Sequence, residues 1–253
     1  EGADRSLSDG GEVVVDGERG LVVVAPHPAV ARFYEVQREV LAAKARRLEK
    51  FRAARGASAD GKRIEVGANV GTAEEAASAF EHGAEGIGLF RTELMFLDRE
   101  EPPTEEEQYA ILAETARLAA GRPVIVRTLD IGGDKPLAWL RLPQERNPAL
   151  GYRAIRMYAA HGELVERQLR AILRAAAVGP MKVMFPMVAT PEEAREMRAL
   201  VAKAAARLAA DGVEHDPAVE VGVMLEIPSA VLSVSAIARE VDFFSVGSND
   251  LAQ

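Results

Sequence analysis

The chain has 253 residues, with 31 Lys or Arg against 39 Asp or Glu, which gives a formal net charge of −8. Hydrophobic residues make up 48% and charged residues 28%, the balance of a globular protein rather than of a collagen or a disordered tail. The acidic balance argues against a nucleic-acid partner, and no apolar run reaches the roughly 18 residues of a membrane helix. Cysteine is absent, which excludes disulfides and thiolate ligands and agrees with a reducing, cytoplasmic location.

Two β-branched runs near the N-terminus, 13–15 and 21–24, flank a segment with an Asp-Gly pair and a second glycine. This pattern predicts a β-hairpin. Because an isolated hairpin is only marginally stable in water, we interpret residues 1–25 as the C-terminal remnant of a larger domain.

Pro26 and Pro28 end the hairpin segment, and residues 29–55 are rich in Ala, Leu, Glu, Lys and Arg. Apolar residues recur there at helical spacing, which predicts one long helix. The helix is basic towards its end, which we interpret as a solvated face rather than a docking surface for an acidic partner. Residues 26–60 are therefore assigned to a linker helix and the short connection after it.

From residue 62 onward, short apolar runs alternate with helical stretches. Thr72, Thr104 and Thr190 are each followed three residues later by Glu, the capping box that begins a helix. Continuously apolar strands that alternate with helices predict a parallel sheet covered by helices, either doubly wound or closed into a barrel. The candidate strands are 64–68, 86–90, 124–126, 183–187, 221–225 and 243–246.

Charged and polar residues follow four of these strands: Arg91, Arg127, Glu226 and the pair Asn249 and Asp250. Site residues at the ends of several strands are typical of a barrel, whereas a doubly wound sheet builds its site at one switch point. We therefore predict that residues 61–253 form an α/β fold of the (β/α)8 TIM type. Since such barrels usually need about 250 residues, two βα units are expected to be missing at the C-terminus.

These residues also indicate a chemistry. Guanidinium groups bind phosphate or carboxylate through paired hydrogen bonds, and Mg²⁺ takes one or two carboxylates together with substrate oxygens. Arg91 and Arg127 with Glu226 and Asp250 thus predict a site for a small, multiply anionic substrate and a divalent metal. The alternative is that each charge only forms an ion pair at the end of its strand.

Neighbouring segments extend this hypothesis. Segment 130–135 contains two glycines that would let backbone approach a ligand, and Lys135 that could reach a phosphate, although a tight turn explains the same pattern. Arg153 is either a third anion ligand or a helix-surface residue, and Glu93, two residues after Arg91, is interpreted as orienting that arginine. None of the four histidines has metal-ligand spacing, and surface or structural roles are expected for His27, His82, His161 and His215.

Several segments of the chain match known motifs, and they do so in order. They are residues 86–93, 103–109, 126–135, 184–187, 224–228 and 242–250. Together they resemble enzyme I of the bacterial sugar phosphotransferase system, the phosphoenolpyruvate–protein phosphotransferase family.

The resemblance implies a Mg²⁺-dependent phosphoenolpyruvate-binding barrel that dimerises through the barrel. Members of this family move phosphate from phosphoenolpyruvate to a histidine of their own N-terminal region and then to the histidine-containing phosphocarrier protein. Carried over by motif, Glu226 and Asp250 would hold Mg²⁺. The substrate-binding residues that the resemblance implies are Arg91, Arg127, Arg153, Asn249 and Asp250.

Two motifs of the family are not found in this sequence. They are the segment Thr-x-Ala-Gly-Gly-x-x-Ser-His that carries the phosphohistidine and the Gly-Met-Cys-Gly segment that carries the general acid. No catalytic residue is therefore assigned in the chain. By itself it is expected to bind substrate weakly or not at all and not to turn it over.

Two alternatives stay open. The first is a barrel of the pyruvate phosphate dikinase or phosphoenolpyruvate synthase type, which would need an ATP-binding domain. The second is a non-catalytic regulator that binds a phosphorylated metabolite.

Overall fold

The computed structural model describes residues 7, 9–132, 137, 139–140, 143 and 145–253. The chain divides into two compact units, Glu1–Ala54 and Arg55–Gln253, which we describe separately. Among the helices of these described ranges, none combines the length and the apolarity needed to cross a membrane. The assignment of 1–25, 26–60 and 61–253 to the parts of a larger protein stays a prediction.

In the first unit, strands β1 (Val13–Asp16) and β2 (Leu21–Val24) form the predicted antiparallel hairpin. The Asp16 carboxylate closes the turn by accepting hydrogen bonds from the backbone N–H groups of Glu18 and Arg19, both at 3.1 Å. The Tyr34 hydroxyl donates to the same carboxylate at 3.1 Å. The Asp-Gly signal in the sequence therefore marks a turn held by its own side chain.

Helix α1 (Pro28–Glu49) follows the hairpin and ends six residues before the predicted end at residue 55. It ends early because the bonds beyond it, such as Phe51 N–H to the Leu48 carbonyl and Arg52 N–H to the Glu49 carbonyl, span three residues rather than four. At its start, Nδ1 of His27 accepts from the N–H of Ala29, which gives this histidine a structural role.

The second unit is built on one parallel sheet of six strands in the order β3-β4-β5-β6-β7-β8. This order follows the chain without reversal, as in a βα barrel, whereas a doubly wound sheet reverses at its switch point. The α/β class and the barrel-type strand order agree with the prediction. Closure by two further units stays a prediction. The strands are β3 (Gly67–Val70), β4 (Gly86–Arg91), β5 (Val124–Arg127), β6 (Met181–Phe185), β7 (Val221–Leu225) and β8 (Phe243–Val246).

Two predicted strands were misplaced by two residues or more. The first strand runs from 67 to 70 rather than from 64 to 68, because Ile64 and Val66 are exposed and bond to Gly56 and to the Glu85 side chain instead. Strand β6 ends at Phe185 rather than at residue 187, because Met187 has a positive φ of 59° that no strand residue adopts.

Helices connect the strands, and their first turns follow the predicted capping. Thr104 with Glu107 and Thr190 with Glu193 form complete capping boxes. Thr72 caps only through its hydroxyl, since the Glu75 carboxylate accepts from Gly71 N–H. The helices are α2 (Ala73–Glu81), α3 (Glu105–Ala119), α4 (Ile155–Tyr158), α5 (Gly162–Ala176), α6 (Pro191–Ala210), α7 (Pro228–Leu232), α8 (Val234–Ile237) and α9 (Ser248–Leu251).

The core lies between the sheet and helices α3, α5 and α6. Phe90, Val126 and Phe185 from the strands are fully buried, as are Leu112 and Ile172 from the helices. Burial of such side chains contributes roughly 1.5–3 kcal/mol each. This packing fixes the six strands relative to one another, so the residues that follow them share one edge of the sheet.

We predict that Thr190→Ala lowers the free energy of unfolding of the chain by about 1 kcal/mol, because the Thr190 hydroxyl accepts from the N–H of Glu193 at the start of α6. Urea denaturation followed by circular dichroism measures this change. Thr190→Ser keeps the hydroxyl and serves as the control. Equal destabilisation by both substitutions would contradict the capping role.

Candidate functional site

The candidate site lies where the parallel strands end. Arg91 and Arg127 are the last residues of β4 and β5 and are direct neighbours in the strand register. Glu226 follows β7, and Asp250 lies in α9 directly after β8. The ends of four strands thus bring together groups that are far apart in sequence.

Arg127 is anchored from two sides. Its Nη2 donates to Glu93 Oε1 at 3.1 Å, and its Nη1 lies 3.1 Å from Asp130 Oδ2 and 3.9 Å from Met224 Sδ. Its Nε is buried and has no hydrogen-bond partner among the described residues. Burial opposes the charge, but Glu93, Asp130 and Glu226 outweigh it and raise the pKa of Arg127 above its ordinary value. Arg127 is therefore a fixed cation.

Asp130 connects this arginine to a second one. Its carboxylate accepts from Arg153 through two parallel bonds, Nε to Oδ1 at 2.8 Å and Nη2 to Oδ2 at 2.7 Å. Arg153 Nη1 in turn lies 3.1 Å from Asp250 Oδ1. A single buried carboxylate therefore holds Arg127 and Arg153 side by side, and Arg153 reaches the acid after β8.

Glu226 is the most deeply buried acid of the site, with 1% of its surface exposed. Its Oε1 accepts from the backbone N–H of Met187 at 2.6 Å, whereas its buried Oε2 has no partner among the described residues. Burial, together with the negative charges of Asp130 and Asp250, raises the pKa of Glu226 to about 7. A buried carboxylate oxygen without a protein partner suits a ligand for a cation or an acceptor for a donor.

The segment between Arg127 and Asp130 is held at almost every peptide. The Thr92 hydroxyl donates to the Arg127 carbonyl at 2.9 Å, and Gln168 Oε1 accepts from Leu129 N–H at 2.8 Å. The buried Tyr158 hydroxyl lies 2.8 Å from both the Thr128 hydroxyl and the Leu129 carbonyl. Burial raises the pKa of Tyr158, so it stays neutral. The loop after β5 is therefore preorganised.

Two non-glycine residues beside the site have positive φ angles. Met187, which donates to Glu226, has φ of 59°, and Ala154, next to Arg153, has φ of 52°. Each such conformation costs about 1–3 kcal/mol and persists only where the surroundings enforce it. Both lie next to a charged residue of the site, which indicates that the backbone is strained to aim these groups.

The structure links Arg127 to Arg153 through the shared carboxylate of Asp130 and places Arg153 in direct contact with Asp250, with Glu226 in electrostatic contact. Arg91 and Asn249 lie on the same edge but are exposed, and Arg91 forms no ion pair with any residue of the described ranges. Lys135 and the second glycine of segment 130–135 lie outside the described residues.

Sequence reasoning misjudged two groups. Glu93 was expected to orient Arg91, but its carboxylate accepts from Arg127 on the next strand, because the turn after β4 lies against the end of β5. Asp130 was noted only as part of a glycine turn. Its spacing, three residues after the arginine that ends β5, was the available signal.

The charges of the site do not balance. Two buried arginines, Arg127 and Arg153, face four carboxylates, so the count with every group ionised is 2 − 4 = −2. The four carboxylates are those of Glu93, Asp130, Glu226 and Asp250. Buried charge that is left uncompensated is strongly unfavourable, and a divalent cation would offset this excess.

The donor set fits Mg²⁺ better than a metal that needs a complete protein cage. Within the described ranges, no group of three or more His, Cys, Asp or Glu side chains converges as a cage would. Mg²⁺ keeps several waters and takes one or two carboxylates with substrate oxygens. Glu226 Oε2 and Asp250 supply such a pair. A Cβ on Gly247 would lie only 2.8 Å from the buried Glu226 Oε2, so a side chain at this position would crowd that oxygen.

Comparison with known proteins agrees with this geometry. The chain belongs to the family described as "PEP-utilising enzyme, PEP-binding domain", which matches residues 45–253. It is 46% identical over 244 residues to the phosphoenolpyruvate-protein phosphotransferase of Staphylococcus carnosus (strain TM300), covering 96% of this chain and 43% of that protein.

Two further curated relatives extend the comparison. Multiphosphoryl transfer protein 2 of Escherichia coli (strain K12) is 44% identical over 241 residues, which are 95% of this chain and 29% of that protein. The phosphoenolpyruvate-protein phosphotransferase of Priestia megaterium is 43% identical over 247 residues, 98% of this chain and 43% of that protein. The chain spans less than half the length of these relatives.

We predict that Glu226→Gln raises the free energy of unfolding at pH 8, in the presence of EDTA, by about 2–3 kcal/mol. The carboxyl has a pKa of about 7 when folded and an ordinary value of 4.5 when unfolded, so folding favours its protonated form. The destabilisation caused by ionised Glu226 is absent below about pH 4.5. It grows between about pH 4.5 and pH 7 and is complete above that range.

Urea denaturation of the chain and of the variant at pH 4 and pH 8 measures the difference. Glu240→Gln, a change at a partly exposed surface pair with Arg195, controls for loss of one negative charge. A variant that is no more stable than the unsubstituted chain at pH 8 would show that Glu226 is not penalised by burial.

Proposed function

We propose that this chain is the phosphoenolpyruvate- and Mg²⁺-binding part of a phosphotransferase. In the full-length protein it would deliver the phosphoryl group of phosphoenolpyruvate to a histidine of the same protein, and from there to the histidine-containing phosphocarrier protein of sugar uptake. The observation that carries this proposal is the pair of buried arginines that Asp130 holds beside the orphaned carboxylate of Glu226. The relatives' phosphotransferase names favour it over the dikinase and regulator alternatives.

The arginines suit the substrate. Phosphoenolpyruvate carries a phosphate and a carboxylate, and guanidinium groups bind both through paired hydrogen bonds. Arg127 has a buried Nε without a partner in the described ranges, and Arg91 is exposed at the mouth of the site. With Arg153 and Asn249, these groups would orient the phosphoryl group and hold it away from water.

Phosphoryl transfer breaks the bond between phosphorus and the enol oxygen. The electron pair of that bond stays on oxygen, which leaves an enolate of pyruvate, while the phosphorus bonds to the acceptor nitrogen. Preorganised cations stabilise the charge that develops on both fragments. When bound by Glu226 and Asp250, Mg²⁺ would supply additional positive charge beside the substrate oxygens.

The proposal includes the assembly and location that the resemblance implies, a homodimer formed through the barrel in the cytoplasm. Sedimentation equilibrium of the full-length protein tests the dimer. A monomer at micromolar concentration would remove that part of the proposal and leave substrate binding unaffected.

We predict that Arg127→Ala weakens binding of phosphoenolpyruvate to the full-length protein at least 30-fold in the presence of Mg²⁺. The substitution removes a buried charge-assisted fork, and truncating one partner of such a pair costs about 2–5 kcal/mol. Isothermal titration calorimetry measures the affinity, and transfer of ³²P from phosphoenolpyruvate to the phosphocarrier protein measures activity.

The matched control is Arg195→Ala. Arg195 lies on α6, and the substitution removes its surface ion pair with Glu240. Its affinity and activity should equal those of the unsubstituted protein. If phosphoenolpyruvate does not bind the full-length protein, or if Arg127→Ala binds it unchanged, the proposed function is wrong.

A second test addresses the metal. Gly247→Ala places a methyl group 2.8 Å from Glu226 Oε2 and from Glu226 Cβ, beside the carboxylate that would hold the metal. We predict that this variant loses at least 10-fold in Mg²⁺ affinity, measured by calorimetry with MgCl₂ alone. Gly162→Ala is the control, because its added methyl group meets open space and Gly162, like Gly247, has no positive φ. Unchanged Mg²⁺ affinity in Gly247→Ala would place the metal elsewhere.

A further inference from the structure

The buried carboxylate of Glu93 occupies a special place beside the arginines. One oxygen, Oε1, accepts from Arg127 Nη2 at 3.1 Å and from the backbone N–H of Asp130 at 3.1 Å. Glu93 therefore holds both ends of the 127–130 segment. It binds the guanidinium of Arg127 at one end and the backbone N–H of Asp130 at the other. The side chain of Glu93 is only 5% exposed, which leaves no surface for a ligand.

The turn that carries Glu93 is itself fixed. Residues Thr92–Met95 form a short 3₁₀ helix directly after β4. Met95 and Phe96 at its end are buried in the core, and Leu94 packs against Gly71, where an added Cβ would lie 2.3 Å from its side chain. The Thr92 hydroxyl binds the Arg127 carbonyl from the same turn. The turn is thus a rigid reference against which the end of β5 is held.

Two acids contact Arg127. Within the described residues, Glu93 forms an ion pair only with Arg127. Asp130 is shared with Arg153, which takes both of its oxygens. Because the Asp130 carboxylate is shared, it can move with either arginine. It therefore fixes the distance between the two guanidinium groups rather than the orientation of one of them. The direction in which Arg127 presents Nη1 and Nε is therefore set by the bond from Nη2 to Glu93.

We infer that Glu93 is a positioning residue of the phosphoryl-binding site, which acts through Arg127 and never touches the substrate. The expected effect on phosphoenolpyruvate binding rests on the proposed function, whereas the orientation of Arg127 by Glu93 does not. It differs from a purely structural role because it concerns the orientation of one guanidinium rather than the stability of the fold.

The chemistry of the contact predicts which substitutions are tolerated. Both hydrogen bonds end on one oxygen, and the amide oxygen of Gln can accept them in the same place. Asp shortens the side chain by one methylene and withdraws that oxygen, and Ala removes it. A positioning role therefore predicts rescue by Gln and no rescue by Asp or Ala, whereas a role for the negative charge alone predicts rescue by Asp and none by Gln.

The experiment measures phosphoenolpyruvate binding with Mg²⁺ by calorimetry in the full-length protein, and kcat and KM by transfer to the phosphocarrier protein. Glu93→Ala and Glu93→Asp should weaken binding about 10-fold and raise KM, whereas Glu93→Gln should stay within about 3-fold. Glu105→Gln removes a carboxylate that pairs with Arg170 and Arg174 on the helices and should change neither value. Affinity that is unchanged in Glu93→Ala, despite a lower melting temperature, would reduce Glu93 to a structural residue.

A double-mutant cycle tests whether the effect passes through Arg127. In an Arg127→Lys background, the fork is absent and Glu93→Ala should lower affinity less than 2-fold further. Independent, additive losses would overturn the inference, since Glu93 would then act by another route.

A crystal structure of Glu93→Ala separates this inference from the proposed function. We expect the Arg127 guanidinium to leave its position and Asp130 N–H to lose its partner, whether or not phosphoenolpyruvate binds. An Arg127 side chain that stays in place would overturn the inference even in an active enzyme. A displaced Arg127 in this variant, together with an unsubstituted full-length protein that binds no phosphoenolpyruvate, would support the inference and contradict the proposed function alone.

Discussion

The buried carboxylate of Asp130 is the contact on which the whole carboxyl edge of the sheet depends. Without it, two guanidinium groups would lie side by side in a region of low dielectric, where like charges repel strongly. With it, Arg127 and Arg153 are held as a pair while keeping their charge, and Arg153 is brought to Asp250 on the last strand–helix unit. The same carboxylate adds negative charge beside Glu226 and so contributes to the raised pKa of that acid.

The fold was predictable where apolar runs are buried and not where they are exposed. Continuous apolar runs predicted the bounds of five of the six strands to within two residues. Thr-x-x-Glu patterns located the starts of α3 and α6. The first strand was misplaced because Ile64 and Val66 are apolar but exposed, and a single sequence does not distinguish the two cases. The early end of β6 depends on the positive φ of Met187, a conformation that the residue type methionine does not predict.

The site shows the same limit in its electrostatics. Residues at or directly after strand ends, such as Arg127 and Glu226, were predictable because parallel strands share one edge. Their partners were not, since Glu93 pairs across to the next strand and Asp130 lies within a glycine-containing loop. Partner choice is set by register and by desolvation, and these are properties of the packed sheet rather than of sequence distance.

The charge excess of the site also relates substrate binding to metal binding. With every group ionised, the two arginines and four carboxylates leave −2, so an anionic substrate alone would enter a region of like charge. Under the proposed function, a divalent cation held by Glu226 and Asp250 would offset that excess and favour entry of the anion. The two ligands should therefore bind with positive coupling, each raising the affinity for the other by the same factor. Under the proposed function, the exposed Arg91 would add positive charge where the anion enters.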